Sequence, residues 1–553
     1  MAATTTTGLG NPVATLAPAR AQRIDRRMAW LWLPLLTFAT LLINGYHPLA
    51  EDGGLYVAGV EYRLDPTLFP HGTAFVTAHL RYSLFAPVLA GLTRSTHLPL
   101  GWVLFLAYIV SLWLLLFAGL QLLRRCTADP RSQLGGVTLL AVWSTLPVAG
   151  TSLLLTDPYL TARSFSTPLT LLAIAYALDD WSRAKSREAS RAGSRAGNLF
   201  NISSAWLCGA WLCGVCLLLA ALLHPLMAFC VLPMVALLRL QRQPRPARLV
   251  AGFCALMLVG ATLLQAGARP ESPAAAAASL SRYYWFLSQW QWYERCGLAG
   301  PIVVLLLVWR YQRANRNVAA LCGVTVLTGG LSIAIALLFA HVDSTTYLIA
   351  RLQPLRTFLP AYALMALLLG ACVVQLRPTR MVLPLFAAGI LASGILLFAV
   401  QRSSFPASQP VELPWARPKN PWSQAFVWAR DHTSKQALFA LDPDYITTPG
   451  EDAQTFRATA QRSALPDFSK DGGEASITPA LAALWQQSMA AQFAVQSGTA
   501  LTSRAMLSRQ TDAQRDARLR PLGVDWMLLH ADAVTAHPCP YNNGTVKICR
   551  LQP

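Results

Sequence analysis

The chain has 553 residues, of which 54% are hydrophobic and only 13% are charged, and its formal net charge is +19. Its apolar runs exceed what one globular core could bury, so the composition excludes an ordinary soluble enzyme and predicts an α-helical polytopic membrane protein. We expect the positive charge to follow membrane topology and anionic lipid, and we expect no nucleic-acid partner.

Eleven apolar segments have lengths close to the roughly 20 residues that a bilayer requires. They are the stretches 28–45, 99–123, 133–155, 164–179, 203–222, 225–240, 248–267, 297–311, 317–340, 355–376 and 380–401. The connections that this assignment places in the cytoplasm carry 21 Lys and Arg residues, whereas those on the exterior side carry 9. This bias predicts a cytoplasmic N-terminus and an exterior C-terminal region.

Composition divides the chain into three regions. We expect residues 1–27 to form a disordered cytoplasmic tail and residues 28–401 to form the transmembrane domain. Residues 402–553 alternate short apolar strands with helical stretches, which predicts a small exterior α/β domain. The long exterior loop 46–98 is expected to form amphipathic helices along the membrane interface.

Most of the eleven cysteines lie within the apolar segments, whereas Cys539 and Cys549 flank a hairpin signal at Asn543-Gly544. A hairpin would bring their thiols face to face. In an oxidising exterior compartment, this spacing predicts a disulfide bond.

Adjacent carboxylates, Glu51 and Asp52, follow the first predicted span. At a membrane boundary such a pair suits a general base and a cation site, and His47 adds a third ligand type for a divalent metal. Tyr56 follows closely and is expected to contact the substrate. The competing interpretation is a solvated loop end.

Further polar residues fall on the same predicted exterior side. Asp157 lies in a short connection that ends at Arg163, and we expect it to be an acid partner of Asp52, although Asp157-Pro158 also suits a plain turn. Arg351 and Arg356 supply two guanidinium groups suited to clamping a phosphate; snorkelling and helix capping explain them equally well.

Several enzyme classes are disfavoured by missing motifs. The sequence has no phosphate loop, no GxSxG elbow, no HExxH and no paired CxxC. These absences argue against an ATPase, a serine hydrolase and a zinc protease.

One membrane helix, an exterior loop opening with Glu51-Asp52, about ten further spans and a C-terminal exterior domain together resemble the GT-C superfamily of polytopic glycosyltransferases. That superfamily includes the protein O-mannosyltransferases and the bacterial aminoarabinose transferases. The chain lacks the Trp-Trp-Asp tripeptide of oligosaccharyltransferases, which disfavours that subgroup. The resemblance covers about residues 28–401.

The resemblance implies a multi-pass protein of the bacterial inner membrane that takes a sugar from a polyprenyl-phosphate donor. Asp52, or else Glu51, would activate the acceptor hydroxyl for inverting transfer, Asp157 matches the place of a second acid, and the lipid phosphate would leave toward Arg351 or Arg356. A divalent metal is an open alternative, with Glu51, Asp52 and His47 as its ligands, although the resemblance implies that polyprenyl-monophosphate enzymes of this kind generally do without one. Two rival functions remain, a transporter or flippase of a lipid-linked sugar and a non-catalytic membrane scaffold. The sequence indicates no oligomeric state.

Overall fold

The computed structural model describes residues 26–191, 199–375, 382–495 and 504–551. Residues 1–25 of the predicted tail therefore lie outside the described residues. The first part of the chain forms the helices α1 (Arg26–Asn44), α2 (Glu51–Leu64), α3 (Thr73–Thr77), α4 (Phe85–Thr96), α5 (Leu100–Cys126), α6 (Pro130–Val142), α7 (Ala162–Arg191), α8 (Leu199–Leu223), α9 (Pro225–Leu240), α10 (Pro246–Gly267), α11 (Pro273–Leu280), α12 (Trp292–Gln312), α13 (Arg316–Phe339), α14 (Leu348–Arg351), α15 (Phe358–Gln375) and α16 (Val382–Ser404).

The C-terminal part mixes helices and short strands. Its elements are α17 (Pro421–His432), β1 (Leu438–Ala440), α18 (Phe456–Ala460), β2 (Ser463–Ala464), α19 (Lys470–Ile477), α20 (Ala482–Gln492), β3 (Ala494–Val495), β4 (Arg504–Ala505), α21 (Asp512–Leu519), β5 (Trp526–His530), β6 (Tyr541–Asn542) and β7 (Val546–Arg550).

Six helical segments among the described residues are long and apolar enough to cross a membrane, or seven if the bent pair within 73–96 counts as one span. They are Leu100–Cys126, Pro246–Gly267, Trp292–Gln312, Arg316–Phe339, Leu348–Gln375 and Pro384–Ser404. Three more apolar helices are shorter: Leu31–Asn44, Gly209–Leu223 and Pro225–Leu240. The chain is a multi-pass membrane protein, but the predicted number of eleven spans is not confirmed.

The predicted span 133–155 is not one helix. Helix α6 ends at Val142, because polar Ser144 and Thr145 follow and Pro147 cannot donate a helical hydrogen bond. The chain turns back on itself instead, with the Leu155 amide donating to the Leu146 carbonyl at 2.9 Å. This return loop, residues 143–161, carries Asp157 into the helix bundle.

The transmembrane core is centred on α15, which packs tightly against α6. A Cβ atom added to Gly370 would lie 2.6 Å from the Gly135 carbonyl oxygen and 2.9 Å from the Gly136 Cα. Without side chains at these positions, the two backbones approach closely, as small residues allow in membrane helices. Leu364 and Leu367 of α15 are fully buried in this core.

The C-terminal domain contains a five-stranded sheet in the order β2-β1-β5-β7-β6. Strand β1 is parallel to β2 and β5, whereas β7 is antiparallel to β5 and β6. The small α/β architecture agrees with the sequence expectation. Strands β6 and β7 form a hairpin whose Gly544 has φ +85°, and a disulfide joins Cys539 to Cys549 beside it.

The carboxyl ends of parallel strands share one edge of a sheet and commonly face ligands. Here that edge faces the helix bundle. The segment after β2 leads to Lys470, and the segment after β1 leads to Thr447; both residues line one cavity together with Asp52 of α2. The C-terminal domain therefore contributes directly to the surface described next.

Candidate functional site

Helix α2, one of the helices of the loop 46–98, begins at Glu51. Its two acids occupy the first turn, where the helix dipole favours negative charge. Gly53 allows this turn to approach the return loop, since a Cβ there would lie 2.9 Å from the Tyr159 Cβ. A second contact comes from the C-terminal domain, whose Thr455 amide donates to the Leu49 carbonyl at 3.0 Å.

Arg163 joins two of the predicted acids. Its Nη2 lies 3.0 Å from Asp52 Oδ2 and 2.9 Å from Asp157 Oδ2. The structure thus brings Asp52 and Asp157 to the same guanidinium group. The sequence had marked Arg163 only as a basic residue at the end of the short connection.

Lys470, the first residue of α19, reaches the same cluster from the C-terminal domain. Its Nζ lies 3.2 Å from Asp52 Oδ1 and also contacts Glu51 Oε2. Sequence reasoning missed this lysine because more than 400 residues separate it from the acids. Its only signal was rarity, since it is one of five lysines in an arginine-rich chain.

The environment of Asp52 determines its chemistry. Burial would raise the pKa of this carboxyl group, but Lys470 and then Arg163 outweigh that effect and hold the pKa below its ordinary value. Each oxygen faces one of these cations. A carboxylate with a lowered pKa is a weak general base. The geometry therefore suits Asp52 for orienting a bound group and supplying negative charge, and not for accepting a proton.

A cavity of about 1090 Å³ opens above this cluster. Asp52, Arg163 and Lys470 lie on its charged side. Its rim includes Phe229 of α9 and Val400 of α16, whose side chains are 47% and 51% exposed. The cavity therefore joins partly buried charges to an apolar, exposed surface of the helices α9 and α16.

Part of the backbone strain of the described residues lies around this cavity. Four lining residues other than glycine have a positive φ: Glu51 (48°), Ala149 (46°), Ser152 (57°) and Gln353 (48°). Non-glycine residues in this region cost of order 1–3 kcal/mol each and concentrate at functional sites. Two of the four lie in the return loop that replaced the predicted helix.

The two predicted clamp arginines have different surroundings. Arg351 Nη2 lies 2.7 Å from Glu271 Oε1, and its Nε donates to the Ser476 carbonyl at 2.7 Å, so it fastens α19 to the transmembrane domain. Both arginines line the cavity, but the buried Nε of Arg356 has no hydrogen-bond partner among the described residues. Arg356 is the better placed of the two for an anionic ligand.

His47 and Tyr56, two predicted substrate-binding residues, also lie in different places. His47 Nδ1 lies 2.8 Å from Glu412 Oε1, and its ring stacks on Phe405 with centroids 4.0 Å apart, so the structure does not bring it to Asp52. Tyr56 lines the cavity.

The acidic site does not fit a divalent metal. Lys470 occupies the space between the Glu51 and Asp52 carboxylates, and His47 is directed to Glu412. Among the residues that the structure describes, no group of three or more His, Cys, Asp or Glu side chains has a geometry able to hold an ion.

Glu474 and His79 form a further polar pair that the sequence did not indicate. Glu474 Oε1 lies 3.8 Å from His79 Nδ1, and both residues line the cavity. Both ring nitrogens of His79 are buried without a hydrogen-bond partner in the described part of the chain. Burial, reinforced by Asp471 and Asp52, raises the pKa of Glu474 to about 8.

Two crystal structures of the Archaeoglobus fulgidus oligosaccharyltransferase are similar to this chain. One, tethered to an acceptor peptide with an NVT sequon, has a TM-score of 0.47 and 11% identity, over 92% of this chain and 69% of that chain. The other, a complex with Zn and sulfate, has a TM-score of 0.43 and 13% identity, over 90% and 68%. These likenesses are too distant to assign a family or a function. No protein-family model and no curated protein matches the chain.

Proposed function

We propose that the chain is a membrane glycosyltransferase that moves a sugar from a polyprenyl-phosphate donor to an acceptor hydroxyl at the exterior face of the membrane. The observation that carries this proposal is the cavity, which joins a cluster of partly buried charges to an apolar rim on α9 and α16. A lipid-linked sugar has the matching chemistry, since its phosphate and sugar are polar and its chain is apolar. The sequence resemblance to GT-C glycosyltransferases supports the same class.

In this proposal Arg356 binds the donor phosphate. Its buried Nε has no hydrogen-bond partner among the described residues, and a guanidinium group offers several donors to phosphate oxygens. During transfer, the bond between the anomeric carbon and the phosphate oxygen breaks, and its electron pair leaves with the phosphate. Arg356 stabilises the charge that develops on that oxygen.

The acceptor hydroxyl attacks the anomeric carbon from the opposite face and forms the new glycosidic bond. Asp52 orients this hydroxyl, and the cations beside it keep the carboxylate charged. The proton passes to Glu474, because its pKa of about 8 makes it the stronger base of the two carboxylates. No covalent intermediate on the protein is required.

The test uses purified full-length protein in lipid nanodiscs with radiolabelled polyprenyl-phosphate sugars and a panel of hydroxyl acceptors. We expect labelled acceptor together with free polyprenyl phosphate, and loss of both products with Asp52→Asn. A parallel assay in proteoliposomes follows movement of the intact donor between leaflets. Donor movement without release of polyprenyl phosphate would replace the proposal by the transporter function.

A further inference from the structure

The Lys470 ammonium group lies where carboxylate sites of proteins hold hard cations. It contacts Glu51 and lies 3.2 Å from Asp52, and only 14% of its side chain is exposed. Arg163 takes the remaining oxygen of Asp52. Bridging carboxylate oxygens are the ligands that Mg²⁺, Ca²⁺ and Mn²⁺ prefer. Two side-chain cations thus occupy the positions from which these acids would otherwise bind a metal.

Contacts on both sides of Lys470 fix its position. Arg282, in the connection between α11 and α12, donates to the backbone carbonyls of the two residues before Lys470, at 2.7 and 2.6 Å. On the other side, Asp471 accepts two hydrogen bonds from Arg457 of the C-terminal domain, at 2.7 and 2.8 Å. Asp471 and Arg457 are both buried. Because its neighbours are anchored to both domains, Lys470 is held in place before any ligand binds.

We propose that Lys470 is a built-in cation of the site: its ammonium group replaces a divalent metal between Glu51 and Asp52, and the C-terminal domain completes the site by delivering it. Lys470 acts through Asp52 and is therefore a positioning residue. It holds one carboxylate oxygen while Arg163 holds the other, which fixes the orientation of the group.

The inference deepens the proposed transferase function and rests on it for its catalytic meaning. It follows that transfer does not need added metal. It also follows that removing the ammonium group frees two adjacent carboxylates, which then form a new site for Mn²⁺. This second consequence can be measured without any transfer reaction.

The experiment measures Mn²⁺ binding by electron paramagnetic resonance of the free ion, using full-length protein in nanodiscs after treatment with a chelator. We expect no Mn²⁺ bound at the acidic site of the unaltered chain. Lys470→Ala and Lys470→Met should each gain about one site per chain, and adding Asp52→Asn should abolish it. The methionine keeps most of the aliphatic stem, so it serves where the alanine variant fails to fold.

Two control variants test whether the effect depends on the positive charge at residue 470 and on its position in the site. Lys470→Arg restores a cation and should bind no Mn²⁺. Lys435→Ala removes another lysine that contacts α2 through Asp65, at an exposed place, and should also bind none. Mn²⁺ binding by the unaltered chain that disappears with Asp52→Asn would overturn the inference, as would no gain in either Lys470 variant. If the Mn²⁺ results hold but no donor is used, the inference about the cation stands and the transferase proposal fails.

Discussion

The two ends of helix α2 make the same kind of contact with the C-terminal domain in different surroundings. At the start, Asp52 pairs with Lys470 and Arg163 beside the cavity, and these side chains are 31%, 14% and 8% exposed. Just past the end, Asp65 lies 2.8 Å from Lys435, and these side chains are 39% and 54% exposed. Both pairs join an acid of the first loop to a lysine far along the chain.

The burial of the cations makes the difference between the two ends, since Asp52 and Asp65 are similarly exposed, whereas Lys470 and Arg163 are far more buried than Lys435. Water and salt screen an exposed pair, so such pairs typically contribute about 0–1 kcal/mol to stability. In a buried cluster the same charges interact strongly, and removing one partner leaves an uncompensated charge. We therefore expect the buried end to control chemistry and the exposed end only to assist docking of the C-terminal domain.

The largest effect expected is that of Asp52→Asn. The change keeps the size of the side chain but removes the charge that Lys470 and Arg163 compensate, so we expect transfer to fall by roughly 100-fold or more. The measurement is kcat with a polyprenyl-phosphate sugar, together with donor binding, which should change little. Asp65→Asn is the matched control and should stay within about twofold. Equal losses in both variants would remove the distinction between the two ends.

The sequence could predict residues of the candidate site whose positions depend on nearby sequence, but not those brought in from a distant part of the chain. Glu51, Asp52 and Asp157 were predicted because they sit at ends of apolar segments, which hydropathy alone marks. Lys470 and Glu474 could not be predicted, because their place depends on how the C-terminal domain docks, and that docking joins elements about 400 residues apart.

In the return loop, nearby sequence itself led to a wrong prediction of secondary structure. Residues 133–155 have the length and hydropathy of a span, but the chain bends after Val142 and stores positive φ values at Ala149 and Ser152. Hydropathy reports burial in apolar surroundings and does not distinguish a helix from a loop buried within the bundle.

Glu474→Gln should have the next largest effect, and it tests which carboxylate receives the proton. Because burial raises the pKa of Glu474 to about 8, the fraction of the basic form increases with pH. We expect kcat of the unaltered protein to rise through about pH 8 and then level off. The glutamine variant should be slower by roughly tenfold and lose this rise. A retained rise in Glu474→Gln would mean that neither Glu474 nor Asp52 but another group with a pKa near 8 receives the proton, since the pKa of Asp52 is lowered.

The same variant has a stability signature with a definite sign. A carboxyl group whose folded pKa is raised stabilises the fold while it is neutral, and this contribution is lost as the pH increases from about 4.5 to about 8. Glutamine remains neutral at every pH. The stability of Glu474→Gln should therefore lack the decline that ionisation of Glu474 causes between about pH 4.5 and about pH 8. Thermal unfolding across the pH range measures the difference.

Arg356→Ala should both weaken donor binding and slow transfer at saturation, because Arg356 binds the phosphate and stabilises the charge that develops on it. Losing a charged hydrogen bond to phosphate is expected to raise KM for the donor by about tenfold. Arg351→Ala is the contrast, since Arg351 binds Glu271 and α19 and should act through stability. Steady-state kinetics with thermal unfolding separates the two, and a larger KM change in Arg351→Ala would exchange their roles.

The smallest effect expected is that of Lys435→Ala, which removes the exposed pair at the far end of α2. Since Lys435 and Asp65 are both more than one-third exposed, we expect unfolding to become easier by only about 0.5 kcal/mol, and less at high salt. Transfer should stay within about twofold of the unaltered protein, because Lys435 does not line the cavity. Chemical unfolding at low and high salt, together with kcat, gives both quantities. A loss of transfer comparable to that of Asp52→Asn would mean that docking of the C-terminal domain, and not the buried charge cluster, limits the reaction.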